Sequence, residues 1–145
     1  STRFNMNPDY MSMGTAESWQ LSNAPILNMA IHKASLDIFN EAGGMVSLRE
    51  RSKRLTAYLE QTIHAISSTS GIHLEIITPY NPIERGCQLS IVAHGQGREL
   101  YDKLSEAGVV VDWREPAVIR MAPVPLYNSF EDIARFGHIL AESLH

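Results

Sequence analysis

Apolar residues recur at helical intervals through the first half of the chain and at strand intervals through much of the second. The stretch PILNMAIHKASLDIFNEAGG, residues 25–44, sets Leu27, Ile31, Ala34 and Ile38 three or four apart, which makes one face of a helix. Asn23 or Ala24 falls at its cap position, Pro25 suits its first turn, and Gly43 and Gly44 stop it. A second helix is predicted from about Val46 to Ile66, with Leu55, Leu59 and Ile66 as a buried stripe and Arg49, Arg51, Lys53 and Arg54 as a wet face. SSTSG at 67–71 reads as a turn, and residues 1–23 are polar and irregular.

The period then changes. IHLEIIT, 72–78, reads as a strand. CQLSIVA, 87–93, alternates, so that Cys87, Leu89, Ile91 and Ala93 share a face. GQGRELYDKLSEAG predicts a helix with Leu100, Leu104 and Ala107 inward and Gly108 as its stop. VVVD and AVIRMA are two strands joined by WREP, and SFEDIARFGHILAESL is a closing helix that opens on a capping-box pair, Ser129 and Asp132. Two helices followed by strand, strand, helix, strand, strand, helix predict an α+β domain: a small, mostly antiparallel sheet with helices on one face.

Composition narrows the partners. A chain of 145 residues with 44% hydrophobic positions can bury a real core. A formal net charge of −4 argues against a nucleic-acid groove. The single cysteine cannot form an internal disulfide, which fits a reducing cytoplasm. No apolar run approaches the ~20 residues that span a bilayer, and no signal peptide opens the chain. The chain starts without Met, as a processed native start or a fragment would.

Chemistry concentrates in RMAPVPLYNSF, 120–130. Pro123 and Pro125 fix φ and remove two backbone donors, so Ala122–Leu126 is expected to be a stiff, extended arm. Arg120 shares a strand face with Val118 and Ala122. It either reaches solvent and pairs with a surface carboxylate, or grips a carboxylate or phosphate ligand with its planar fork. Ser22 and Asn23 either cap the first helix or meet an anion at its positive end. GQGREL lacks the third glycine of a dinucleotide fingerprint and has no βαβ unit around it. Histidines 32, 64, 73, 94, 138 and 145 have no metal-ligand spacing, so no metal is expected, and Cys87 reads as a small core residue.

Read together, STRFNM, WQLSNAPIL, KASLDIF, LTAYLE, IITP, ERGCQLSI, GVVVDWREP and IRMAPVPLYNSFED resemble, in the same order, the C-terminal part of kynureninases. That family consists of homodimeric, pyridoxal-phosphate-dependent enzymes of fold type I, the aspartate-aminotransferase fold. They use water to cleave L-kynurenine or 3-hydroxykynurenine into anthranilate, or its 3-hydroxy form, and L-alanine. The resemblance implies that Arg120 holds the substrate carboxylate, that Asn23 contacts the cofactor phosphate, and that Ser22 lies in the ring pocket. It leaves Arg85 and Cys87 structural. It also implies that residues 1–23 are the tail of a large cofactor-binding domain and 24–145 a linking helix plus the small domain. Lys33, Lys53 and Lys103 all sit in predicted helices, so the Schiff-base lysine, and with it every catalytic residue, is expected in a large domain missing from this chain. The chain alone is expected to be inactive and not to bind pyridoxal phosphate, and the full enzyme to be a cytoplasmic homodimer without nucleic-acid or membrane partners. Two alternatives are the small domain of another class V aminotransferase-like enzyme and a stand-alone, ferredoxin-like binding module.

Overall fold

A computed structural model describes residues 8–20 and 22–145. The STRFNM stretch and Leu21 lie outside the described residues. Two compact units divide the chain, the first ending at Ile38 and the second running Phe39–His145.

In the first unit, the segment expected to be irregular holds a short 3-10 helix, Ala16–Trp19. Ser18 organises it, accepting Met13 N–H at its hydroxyl (2.7 Å) and the Tyr10 hydroxyl at its carbonyl (3.1 Å). Helix α1 spans Ile26–Glu41. It begins later than the expected cap at Asn23 or Ala24, because Pro25 holds its predecessor extended and the Pro25 carbonyl takes the first bond, from Met29 N–H (3.0 Å). The apolar face of α1 is uncovered: Leu27 is 79% exposed, Ile31 and Ile38 are exposed too, and no α1 residue is buried.

Helix α2, Gly44–Ser70, follows a hinge of two glycines in the left-handed region, Gly43 (φ 92°) and Gly44 (φ 72°). Its buried positions Leu48, Ser52, Leu55, Thr56, Leu59, Ile63 and Ile66 recur every three or four residues. The helix continues through the predicted turn at 67–70. There the Ser68 and Thr69 hydroxyls bond back to the carbonyls of His64 and Ala65, and Gly71 caps the end in the left-handed region.

Four antiparallel strands make the sheet: β1 (Leu74–Ile76), β2 (Leu89–Ala93), β3 (Asp112–Arg114) and β4 (Val118–Met121), in spatial order β1-β2-β4-β3. Helix α3 (Gly97–Glu106) joins β2 to β3, and α4 (Phe130–Ser143) closes the chain. Side chains on one sheet face, Leu74, Leu89, Ile91, Ala93, Ile119 and Met121, meet Leu55, Leu59 and Ile63 of α2, Leu100 and Leu104 of α3, and Ile133 and Leu140 of α4 in one core. The domain is α+β as expected. Its strand–strand–helix–strand–strand–helix order is the one the sequence predicts.

Two local expectations fail for a shared reason. The end of α3 is closed by Ala107 N–H to Lys103 O and Val109 N–H to Leu104 O (2.9 Å), around Gly108 at φ 81°. Ala107 therefore lies exposed beyond the helix, and Val109–Val111 approach the sheet without joining it. Strand β3 instead uses Trp113 and Arg114 from the predicted connection. The capping box is present in full: Asp132 N–H donates to Ser129 Oγ (3.2 Å) and Ser129 N–H to Asp132 Oδ2 (2.8 Å).

Helices α2 and α4 pack together, and at Gly137 an added Cβ would stand 2.6 Å from Thr62 Cγ2. Thr62 cannot easily turn away, because its hydroxyl bonds to Tyr58 O (2.9 Å). Overpacking costs about 1–3 kcal/mol, whereas Gly→Ala inside a helix gains up to about 1 kcal/mol. Gly137→Ala is therefore expected to lower Tm in the natural background. In a Thr62→Ala background, which removes the opposing methyl, the same change is expected to raise Tm. Thermal melts of the four proteins check both signs.

Candidate functional site

Strand β4 alternates, with Ile119 and Met121 buried and Val118 and Arg120 on the opposite face, away from the helices. The register sets Ser90 of β2, Arg120 of β4 and Asp112 of β3 in one row across the sheet. On this row Arg120 Nε donates to Asp112 Oδ2 (2.7 Å) and Arg120 Nη2 donates to the same oxygen. Arg114 Nε reaches that oxygen too, at 3.0 Å. Arg120 thus pairs with a surface carboxylate, one of its two anticipated roles, and its side chain remains 32% exposed. On its other flank Ser90 is buried and accepts Gln88 Nε2 at its hydroxyl (3.1 Å).

The segment after Arg120 is held by hydrogen bonds and turns from residue 125, within the stretch expected to be extended. Residues 122–124 run without regular structure, and 125–127 turn. Val124, between the prolines, donates its N–H to Asn128 Oδ1 (2.8 Å), and Asn128 N–H returns to Val124 O (2.8 Å). Arg51 of α2 then donates to Asn128 O (3.1 Å), just ahead of the α4 capping box.

Two residues of the predicted wet face are thus clamps. Besides Arg51, Arg49 donates to the carbonyls of Pro82 and Arg85 (2.8 Å to the latter). Arg85 is buried and pairs with Glu60 of α2 (2.6 Å), so that the loop between β1 and β2 is pinned to α2 from both sides. Cys87 is half-buried and free.

Ser22 and Asn23 form an exposed bend ahead of α1 in the first unit, and Arg120 lies in the second. Each lysine sits in an ion pair on a helix: Lys33 with Asp37, Lys53 with Glu50 and Lys103 with Glu99. Among the described residues no group of three His, Cys, Asp or Glu could hold a metal ion, and no helix is long and apolar enough to cross a membrane.

Sequence reading missed Asp112. The signal was available: Asp112 and Arg120 are equidistant from Pro116, the centre of the β3–β4 turn, which in a hairpin places them opposite each other.

A three-helix layer on one sheet face and an arginine–carboxylate row on the other define a small α+β domain with one polar sheet face. Residues 48–140 match the family model for the kynureninase C-terminal domain, and the chain belongs to that family. It is 50% identical over 142 residues to a kynureninase from Flavobacterium psychrophilum and 49% identical over 142 residues to one from Christiangramia forsetii, each alignment covering 98% of this chain and 33% of the relative. It is 53% identical over 138 residues to one from Xanthomonas oryzae pv. oryzae, covering 93% of this chain and 32% of that relative. The chain spans about a third of the length of the curated relatives it matches.

The two guanidinium groups hold the Asp112 carboxyl below its ordinary value of 3.8, the Arg120 hydrogen bonds being the main cause. A lowered carboxylate pKa means that the pair is favoured above the ordinary value and is lost as pH falls through the lowered one. In a carboxyl-detected NMR titration Asp112 is expected to have its midpoint below 3.8, and Arg120→Ala to move it upward.

Proposed function

We propose that this chain is the C-terminal part of a kynureninase, and that its small domain orients the substrate of the hydrolysis that yields anthranilate, or 3-hydroxyanthranilate, and L-alanine. The observation that carries the reading is Arg120: a planar cation at a strand end, outside the core, partly exposed and followed by a braced proline segment. About 50% identity to kynureninases supports it over a different class V aminotransferase-like enzyme. In this reading residues 1–23 are the tail of a large domain and 24–145 the linking helix and small domain. The remaining two thirds of the enzyme supplies the catalytic lysine. Pyridoxal phosphate, bound there, provides the electron sink for carbon–carbon cleavage. The lysines of this chain do not fit that anchoring role, and no cofactor step is assigned to them.

What this chain contributes is position. Arg120 would hold the α-carboxylate of the substrate, Asn23 would contact the cofactor phosphate, and Ser22 would face the substrate ring. The exposure of Ser22 and Asn23 leaves them accessible for such contacts. The uncovered apolar face of α1, with Leu27, Ile31 and Ile38, supports a further protein surface over it. That surface would be the large domain, or the second subunit of a cytoplasmic homodimer.

In the full-length enzyme Arg120→Lys is expected to lower kcat/KM by about 10- to 1000-fold, because lysine keeps the charge and loses the two-bond fork. An effect within about twofold would remove the carboxylate role. The purified 145-residue chain is expected to show no kynurenine turnover, and turnover would overturn the division of labour. Asn23→Asp is expected to leave Tm unchanged while cofactor occupancy falls, since it sets a second negative charge beside a phosphate. Unchanged occupancy and an unchanged preference between the two substrates would make Asn23 purely structural.

A further inference from the structure

An arginine offers five N–H donors in one plane. Asp112 takes those on one side only: Nε and one hydrogen of Nη2, both on Oδ2. Nη1 makes no hydrogen bond among the described residues, and Nη2 keeps its second hydrogen. The end-on edge of the fork, Nη1 with Nη2, is thus the edge left for a ligand, and it suits a carboxylate bound through two oxygens. Asp112 is itself steadied by Arg114, whose Nε lies 3.0 Å from the same Oδ2 and whose position two residues on shares the same face of β3. Arg120, Arg114 and Asp112 together carry one net positive charge.

We propose that Asp112 is the positioning residue of this site: by holding the Nε–Nη2 edge of Arg120 it aims the opposite edge at the substrate carboxylate. The assignment rests on the reading of Arg120 as the carboxylate clamp, and it adds a testable sign. A negative charge beside an anion site, if it did nothing else, would weaken anion binding, and its removal would tighten it. A positioning residue does the reverse, because a long arginine released from its partner must be ordered again by the substrate.

The experiment compares Asp112→Ala, Asp112→Glu and Arg120→Lys in the full-length enzyme. It measures KM and kcat for L-kynurenine and inhibition by a kynurenine analogue that lacks the α-carboxylate. Asp112→Ala is expected to raise KM about tenfold, the scale of one lost hydrogen bond to a charged group. Its kcat should stay within about twofold, and the carboxylate-free analogue should inhibit as before. Asp112→Glu, which restores the charge, should recover much of the KM. Should Asp112→Ala fail to fold, Asp112→Asn carries the same requirement that KM rise. A KM that is unchanged or lower while Arg120→Lys raises it would overturn the role of Asp112 and leave the clamp standing. Equal weakening of the carboxylate-free analogue would also overturn it, by marking general damage. If Arg120→Lys itself leaves KM untouched, the clamp reading fails and the role of Asp112 fails with it.

Discussion

Burial of Ile119 and Met121 beneath three helices decides where Arg120 points. Successive side chains on a strand face opposite ways, so a core that claims the two flanking residues leaves the arginine no choice of side. A slip of one residue in β4 would bury a guanidinium and expose two large apolar groups, which makes the register strongly specified. The same alternation on β3 puts Trp113 against the core and Asp112 outside, so the aspartate meets the arginine because of two apolar neighbours on separate strands. The polar row is thus the outward face of a hydrophobic decision.

Charged residues elsewhere brace the backbone. Arg49 and Arg51 of α2 each reach carbonyls in a distant loop, and Arg85 returns from one of those loops to Glu60 on the same helix. Charge-assisted bonds to carbonyls suit loops that lack a regular ladder and must still satisfy their backbone. Helix α2 therefore supplies the core with one stripe and fixes the β1–β2 loop and the entry to α4 with another.

The sequence was most legible where a period ran long enough to be read. The stripe of α2, the core-facing Leu89, Ile91 and Ala93 of β2 and the Ser129–Asp132 cap stand where the pattern puts them, whereas Cys87, expected on the same face and in the core, lies half-buried ahead of the strand. It misled where local structure departed from the pattern: α2 runs on through the Ser- and Thr-rich stretch to its glycine stop at Gly71, and the closure around Gly108 kept three valines out of the sheet. Arg120 was legible as a candidate because charge followed by two prolines stands out. Its partner was not, because Asp112 becomes adjacent only once the hairpin register is known.

The order β1-β2-β4-β3 builds the sheet from two hairpin-like halves joined along one internal seam, β2 against β4. Within each half the paired strands are close in sequence, but Ser90 meets Arg120 across thirty residues that include all of α3. Closing so long a loop carries an entropic cost that the shorter connections avoid, so the seam belongs to the late, cooperative part of folding. Arg120 stands on that seam. A chain caught with only its hairpins formed would carry the arginine and its aspartate already paired, yet lack Ser90 and the rest of the floor beneath them. The row from Ser90 through Arg120 to Asp112 is therefore completed only with the final pairing of the sheet.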